Sequence, residues 1–378
     1  MNLQTKNHIA WIDILRIAAC FLVIVSHSCD PFVGQFDNNR YEFLTGAFIG
    51  SFVRPCVPLF VMISGVLLLP VNMDMKTFYT KRTKRIAIPF IFWSLLMPIL
   101  YFLYFASGIE TISPSIAEDI HTLPMTLQKL YTFIFNFNYD TTPLWYVYML
   151  IGLYLFMPIL GGWLKQASKT DIKWFLSIWI ISMCLPYLQM LAPILGYNGN
   201  YGNMGLLGVC DWNPYGMLYY FSGFLGYLVL AYYLVHHPLN WNWKRTLSIA
   251  IPLFMIGYAI TAGGFIITQK YFPGSYANLE IIWYFSGINV FLMTTAIFII
   301  MQKIKVKPSP FLNKVAVLTF GIYLCHFIFV QLGYDLIYRS IPVPPFFKII
   351  LIAVFTFCIS LFVVWLMSFN KVTRKVIM

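Results

Sequence analysis

Residues 10–28 read AWIDILRIAACFLVIVSHS, and this stretch decides the fold. It matches the ~20 residues an α-helix needs to cross the hydrocarbon of a bilayer. Its apolar residues run on continuously instead of alternating, which fits a helix and not a strand of a membrane barrel. Further runs of the same kind follow at about 48–69, 86–106, 144–162, 173–192, 215–235, 247–267, 281–301, 315–333 and 347–367. The sequence therefore predicts an all-α polytopic membrane protein of about ten transmembrane helices, with one integral membrane domain over 1–378. Gly and Pro interrupt the flanks of the sixth and seventh runs. No segment has the composition of a soluble domain: 10% of residues are charged and 60% are hydrophobic, against about 25% charged in soluble domains. The first run carries Asp13 and Arg16, and no small-x-small site closely follows it, so it is expected to stay as a span.

The loops between the runs are sorted by charge. On one side fall KTFYTKRTKR (76–85), KQASKTDIK (165–173), NWKR (242–245), KIKVK (303–307) and KVTRK (371–375). With Lys6 and Lys314, that side holds 18 of the chain's 25 basic residues but only Asp74 and Asp171 of its 13 acidic ones. Cytoplasmic loops carry such an excess, so both termini are expected in the cytoplasm. The net charge of +12 is of the kind that nucleic-acid binding uses, but these cations sit in loops between apolar runs. That placement suits insertion bias and contact with anionic membrane lipids, so no nucleic-acid partner is expected. The seven cysteines, at 20, 29, 56, 184, 210, 325 and 358, show no metal spacing. Cys29, Cys56 and Cys210 fall near the outer face, where one disulfide would be allowed, although small apolar residues describe them as well. No internal repeat is evident, and the sequence leaves a homo-oligomer open.

Ionisable residues at membrane depth are expensive and mark functional sites by default. Arg16 and His27 are eleven residues apart, so they share one face of the first helix, about 16 Å apart along its axis, and Asp13 lies on the same side. The bland alternative is a snorkelling Arg paired with Asp13 and a His hydrogen-bonded at the interface. Arg82 and Arg85, in TKRTKRIAIP, are three apart at the inner end of the third span. They read either as ordinary inside charge or as a clamp for phosphate oxygens. His326 and Tyr323 lie one turn apart in LTFGIYLCHF; the His serves as a site residue or as a plain interhelical hydrogen bond. Arg54 precedes PCVPLFVMISG, whose prolines predict a broken start to the second span. Trp145, in TTPLWYV, is a belt anchor or a cavity wall. The outer loop Gly108–Pro143 shapes a pocket or caps the bundle, and the outer loop Tyr197–Asn213 is polar enough to meet a sugar-like molecule.

These motifs, in this order, resemble the acyltransferase-3 family of integral membrane acyltransferases across essentially the whole chain. The Arg, ten residues, His pattern is Arg16 and His27, preceded by Trp11, Ile12 and Asp13. The VPLF-x-x-x-SG segment is Val57 to Gly65, Arg-x-x-Arg is Arg82 and Arg85, PLW begins at Pro143, and GIY-x-x-H is Gly321 to His326. The resemblance implies acyl transfer from cytoplasmic acyl-CoA, commonly acetyl-CoA, to a hydroxyl of a surface polysaccharide sugar or its lipid-linked precursor. It implies the bacterial plasma (inner) membrane as the location. A sugar hydroxyl is a poor nucleophile, and imidazole has the most suitable unperturbed basicity to activate it. His27 is the expected base, with Asp13, Tyr323 and His326 as further catalytic candidates. Arg16, Arg82 and Arg85 suit the phosphates of coenzyme A, and Arg54 and Trp145 suit the acceptor or cavity; no metal is expected. The rival reading is a transporter or flippase for a lipid-linked or small anionic solute, using the same polar line as a path. Turnover of acyl-CoA by purified protein discriminates the two.

Overall fold

The first apolar run folds as α1 (Ala10–Val33), longer than expected at its C-terminal end and carrying Pro31 inside. This computed structural model describes residues 10–135, 138–196, 215–273 and 281–378, and the expected polar loop Tyr197–Asn213 lies outside them. Among the described residues the regular structure is entirely helical. Nine helical segments among the described residues are long and apolar enough to cross a membrane. Large apolar side chains such as Ile91, Leu103, Leu155, Ile159, Ile251, Met255 and Phe362 are exposed on them, the outward face that a lipid-embedded helix needs.

The sixth expected run departs from this pattern. A 3₁₀ turn (Gly216–Phe221) leads to Gly223, whose φ of +74° is open mainly to glycine, before a helix of only 12 residues, Leu225–His236, begins. That helix is about 18 Å long, short of the ~30 Å hydrocarbon core. The second run does break where its prolines predict. Helix α2 (Arg40–Phe52) ends at Val53, and α3 (Cys56–Leu68) starts after Pro55.

Two compact units divide the chain. One comprises Met1–Val53, Tyr79–Gly152 and Ile304–Met378; the other comprises Arg54–Phe78 and Leu153–Lys303. Along the chain, α4 (Met75–Ala106) is followed by α5 (Leu123–Tyr131), a 3₁₀ turn (Tyr139–Leu144) and α6 (Trp145–Leu164), the residues from Tyr79 to Gly152 belonging to the first unit. The expected outer loop is thus largely structured. Helix α1 packs on α2 and on two late helices of the chain, Pro310–Ser340 and Pro345–Met367. Pro310–Ser340 is the most enclosed of the candidate spans. Gly321 lets its neighbours close in: an added Cβ would lie 2.7 Å from Val364 Cγ1 and 2.9 Å from Ile377 Cβ.

The second unit gathers α7 (Lys169–Ser182), α8 (Leu185–Leu191), α9 (Leu225–His236), α10 (Trp243–Tyr271) and α11 (Ile288–Lys303) with α3. Pro310–Ser340 and Pro345–Met367 are then α12 and α13, and α14 (Lys371–Arg374) ends the chain. The centre of the second unit is Trp179, whose indole N–H donates to the Gly223 carbonyl at 2.9 Å. Its ring meets Tyr227 and Phe291 edge-on at 5.0 and 5.3 Å. Cys29 and Cys56 are buried, and Cys210 lies outside the described residues.

Candidate active site

Three side-chain rungs tie α1 to α12, and they fix the geometry of the site. Asn313 donates its amide to Asp13 Oδ2 at 3.4 Å, Cys20 Sγ approaches the Thr319 carbonyl at 3.6 Å, and the His27 and His326 rings lie 5.4 Å apart. Residue numbers rise together on both helices, so the two run parallel. The rungs recur every six or seven residues, about two helical turns, which keeps one face of each helix on the other.

The third rung is the chemical one. His27 Nδ1 lies 3.0 Å from Asp30 Oδ2, one turn along α1. A carboxylate accepts, so this nitrogen carries the proton and Nε2 presents its lone pair. His326 Nδ1 lies 2.6 Å from the Tyr323 carbonyl oxygen, which also only accepts, so its Nε2 is likewise the lone-pair nitrogen. That Nε2 is buried and has no hydrogen-bond partner among the described residues. The Tyr323 hydroxyl in turn donates to the Pro143 carbonyl, in the 3₁₀ turn before α6. The two imidazoles differ in access. His326 is sealed, whereas the His27 side chain is 17% exposed and that of Asp30 is 41% exposed, so an incoming molecule meets His27 first.

The expected site residues thus fall into separate groups. His27, His326 and Tyr323 come together. Asp13 does not join them: it is fourteen residues before His27, about 21 Å along the helix axis, where Asn313 holds it. The carboxylate that does meet His27 is Asp30, and its i, i+3 spacing from His27 was the signal in the sequence that could have found it. Arg16 is half-buried one turn beyond Asp13. Arg82 and Arg85 lie two to three turns inside α4, the first half-buried and the second exposed. Arg54 belongs to the second unit, where its guanidinium sits 3.9 Å from the Trp283 ring centroid, and Trp283 stacks on Phe265 at 3.7 Å. Trp145 opens α6, half-buried and set edge-on to Tyr146. Among the described residues no group of three or more His, Cys, Asp or Glu side chains could hold a metal ion.

A second polar cluster of the same unit was not foreseen. Asp140 accepts from Lys129 Nζ at 2.8 Å and lies 2.7 Å from His121 Nε2, all three being buried. His121 Nδ1 bonds the Ala117 carbonyl at 2.8 Å, so the ring is held from both sides. Lys129 and Asp140 are eleven residues apart with a loop between them, and such a pairing has no periodic signature in the sequence.

A helical membrane bundle with a carboxylate-oriented imidazole at an accessible point, and a second imidazole beside it, has the parts for proton transfer to and from a bound hydroxyl. The acyltransferase-3 family profile, described as an acyltransferase domain, matches residues 9–368. The chain belongs to this family and is a membrane acyltransferase. Comparison with curated proteins and with solved structures gives no match.

Proposed function

We propose that this protein moves an acetyl or related acyl group from cytoplasmic acyl-CoA to a hydroxyl of a surface polysaccharide sugar or its lipid-linked precursor. Within the family the motifs most resemble those of the enterobacterial common antigen O-acetyltransferase, which supports an acetyl donor and a sugar acceptor. The charge bias of the loops supports a bacterial inner-membrane protein with both termini in the cytoplasm.

The observation that carries the mechanism is the His27–Asp30 pair beside the buried, unpartnered His326 Nε2. His27 Nε2 takes the proton of the acceptor hydroxyl as its oxygen attacks the thioester carbonyl. The carbon–sulfur bond breaks, and the coenzyme A thiolate leaves and receives that proton. Asp30 fixes the His27 ring and stabilises the imidazolium that forms, the role a carboxylate plays beside a catalytic histidine. His326 Nε2 accepts from a neighbouring O–H of the acceptor and not from the reacting one: a buried acceptor atom left without a partner costs about 1–3 kcal/mol, and a second substrate hydroxyl would satisfy it. Arg16, Arg82 and Arg85 supply charge for the donor's phosphates.

The test is radiolabelled acetyl-CoA supplied to purified protein with candidate glycan precursors, wild type beside His27→Ala. Transfer should fall about 10²–10⁴-fold in the variant, with acyl-CoA binding nearly intact, because a base acts on the reacting centre. Full activity of His27→Ala would sink the assignment.

A further inference from the structure

The first unit holds an aromatic series that the proposed chemistry does not use. The Phe327 ring meets His27 at 5.1 Å on one side and Tyr139 at 5.2 Å on another. Tyr101 backs both aromatic rings, 6.1 Å from Tyr139 and 6.3 Å from Phe327. Phe327 and Tyr101 are buried, whereas Tyr139 is half-buried and keeps ring surface available. The exposed edges of the imidazole site, His27 and Asp30, belong to the same neighbourhood, because Tyr139 lies within electrostatic range of Asp30.

Tyr139 is also anchored with unusual force for a residue that opens a turn. Its neighbour Asp140 is fixed by Lys129 and His121. Three residues later Pro143 accepts the Tyr323 hydroxyl. The 3₁₀ turn Tyr139–Leu144 is therefore pinned at both ends, once to the structured outer segment and once to the helix that carries His326. A buried ion pair is a costly way to hold a turn unless its geometry matters, since the desolvation of both charges must be offset.

We infer that Tyr139, beside Phe327, is the wall on which the ring of the acceptor packs while its hydroxyl faces His27. The inference rests on the proposed acyl transfer to a hydroxyl. The chemical class it selects is a cyclic acceptor with an apolar C–H face, as a pyranose has, rather than an acyclic polyol. The Lys129–Asp140–His121 cluster acts through Tyr139 as a positioning element.

The experiment measures acetyl transfer from acetyl-CoA to methyl pyranosides of common hexoses and N-acetylhexosamines, with glycerol as the acyclic comparison. It uses full-length wild type, Tyr139→Ala, Tyr139→Leu and Tyr139→Phe. Loss of the ring should raise the pyranoside KM about tenfold in the Ala and Leu variants, with the KM for acetyl-CoA unchanged and Phe close to wild type; the scale is that of one aromatic contact. A single symmetric elution peak in detergent and a melting temperature like that of wild type show that each variant is folded. An acceptor KM within twofold of wild type in Tyr139→Ala overturns the inference, as does equal loss in Tyr139→Phe, which would assign the effect to the hydroxyl. Wild type that prefers glycerol to every pyranoside also overturns it. Wild type that transfers to nothing refutes the proposed function itself, a result distinct from the others.

Discussion

Asp30→Asn tests the link between His27 and its orienting carboxylate. The substitution keeps an oxygen in nearly the same place and removes only the charge. The Nδ1 to Oδ2 separation is 3.0 Å, so once His27 becomes imidazolium the Coulomb attraction is about 1.4 kcal/mol at the dielectric constant of water and about 5.5 kcal/mol at an effective value of 20. The Asp30 side chain is 41% exposed and His27 17% exposed, which places the pair nearer the aqueous limit, at roughly 2 kcal/mol after screening. This attraction is absent while the imidazole is neutral and present in the transition state, so its loss appears in kcat. The expected fall is about 30-fold, with the acyl-CoA KM unchanged. An amide that turns its NH2 toward Nδ1 would also shift the ring proton to Nε2 and deepen the loss. Steady-state acetyl transfer by purified wild type, Asp30→Asn and Asp30→Glu measures this. Asparagine activity within twofold of wild type would refute the orienting role, whatever the state of His27.

Two further perturbations address other parts of the molecule. Arg85 is exposed and Arg16 half-buried, so Arg85→Ala should weaken coenzyme A about 3-fold, while Arg16→Lys, which keeps charge but loses the planar fork, should weaken it about 10-fold; unchanged affinity by calorimetry in both would remove the phosphate clamp. Gly226→Ala would set a methyl 2.0 Å from two carbons of the Trp179 indole, a ring pinned by its bond to Gly223, so stability in detergent should fall by about 3 kcal/mol, and a melting curve like that of wild type would show that the contact relaxes freely.

What the sequence made legible depended on how far apart the cooperating residues lie along the chain. Spans are local: hydropathy alone suggests ten, and among the described residues nine helices are long and apolar enough to be spans. The break at Pro55 was legible because proline acts on its own backbone. The failure of the run 215–235 to form a full span has a local cause as well, at Gly223, but apolar composition outweighed it on inspection. His27, Tyr323 and His326 were found as members of motifs, yet their meeting is a long-range event between α1 and α12. Asp30 was local and was still missed, because it lies beyond the expected end of the first span, where acidic residues usually signal only a loop. Asp13 attracted attention by being nearer the middle of the quoted stretch, but an axial rise of 1.5 Å per residue already separates it from His27. The Lys129–Asp140–His121 cluster lies within a segment without periodicity, and only folding reveals it.

The middle rung between α1 and α12 bears on how the acyl group travels. Arg16 and His27 share a helix face about 16 Å apart, and the proposed donor end and reaction centre lie at its two limits. Between them the face is filled: Ala19 and Ile24 are 0% exposed, and Cys20 and Thr319 are each 1% exposed. The seam is therefore packed protein and not an open path in this conformation. A thioester arm entering beside Arg16 must pass along another side of α1, or the packed rung must open to admit it. If the acyl group waits on His27 Nε2 as an acyl-imidazole, wild type incubated with labelled acetyl-CoA and no acceptor should retain label that survives removal of free donor, and His27→Ala should retain none. If attack is direct, neither protein retains label, yet wild type transfers it as soon as acceptor is added. Enlarging the rung with Cys20→Leu separates the routes of entry: it should slow turnover if the arm passes through the seam and leave turnover unchanged if the arm passes outside it.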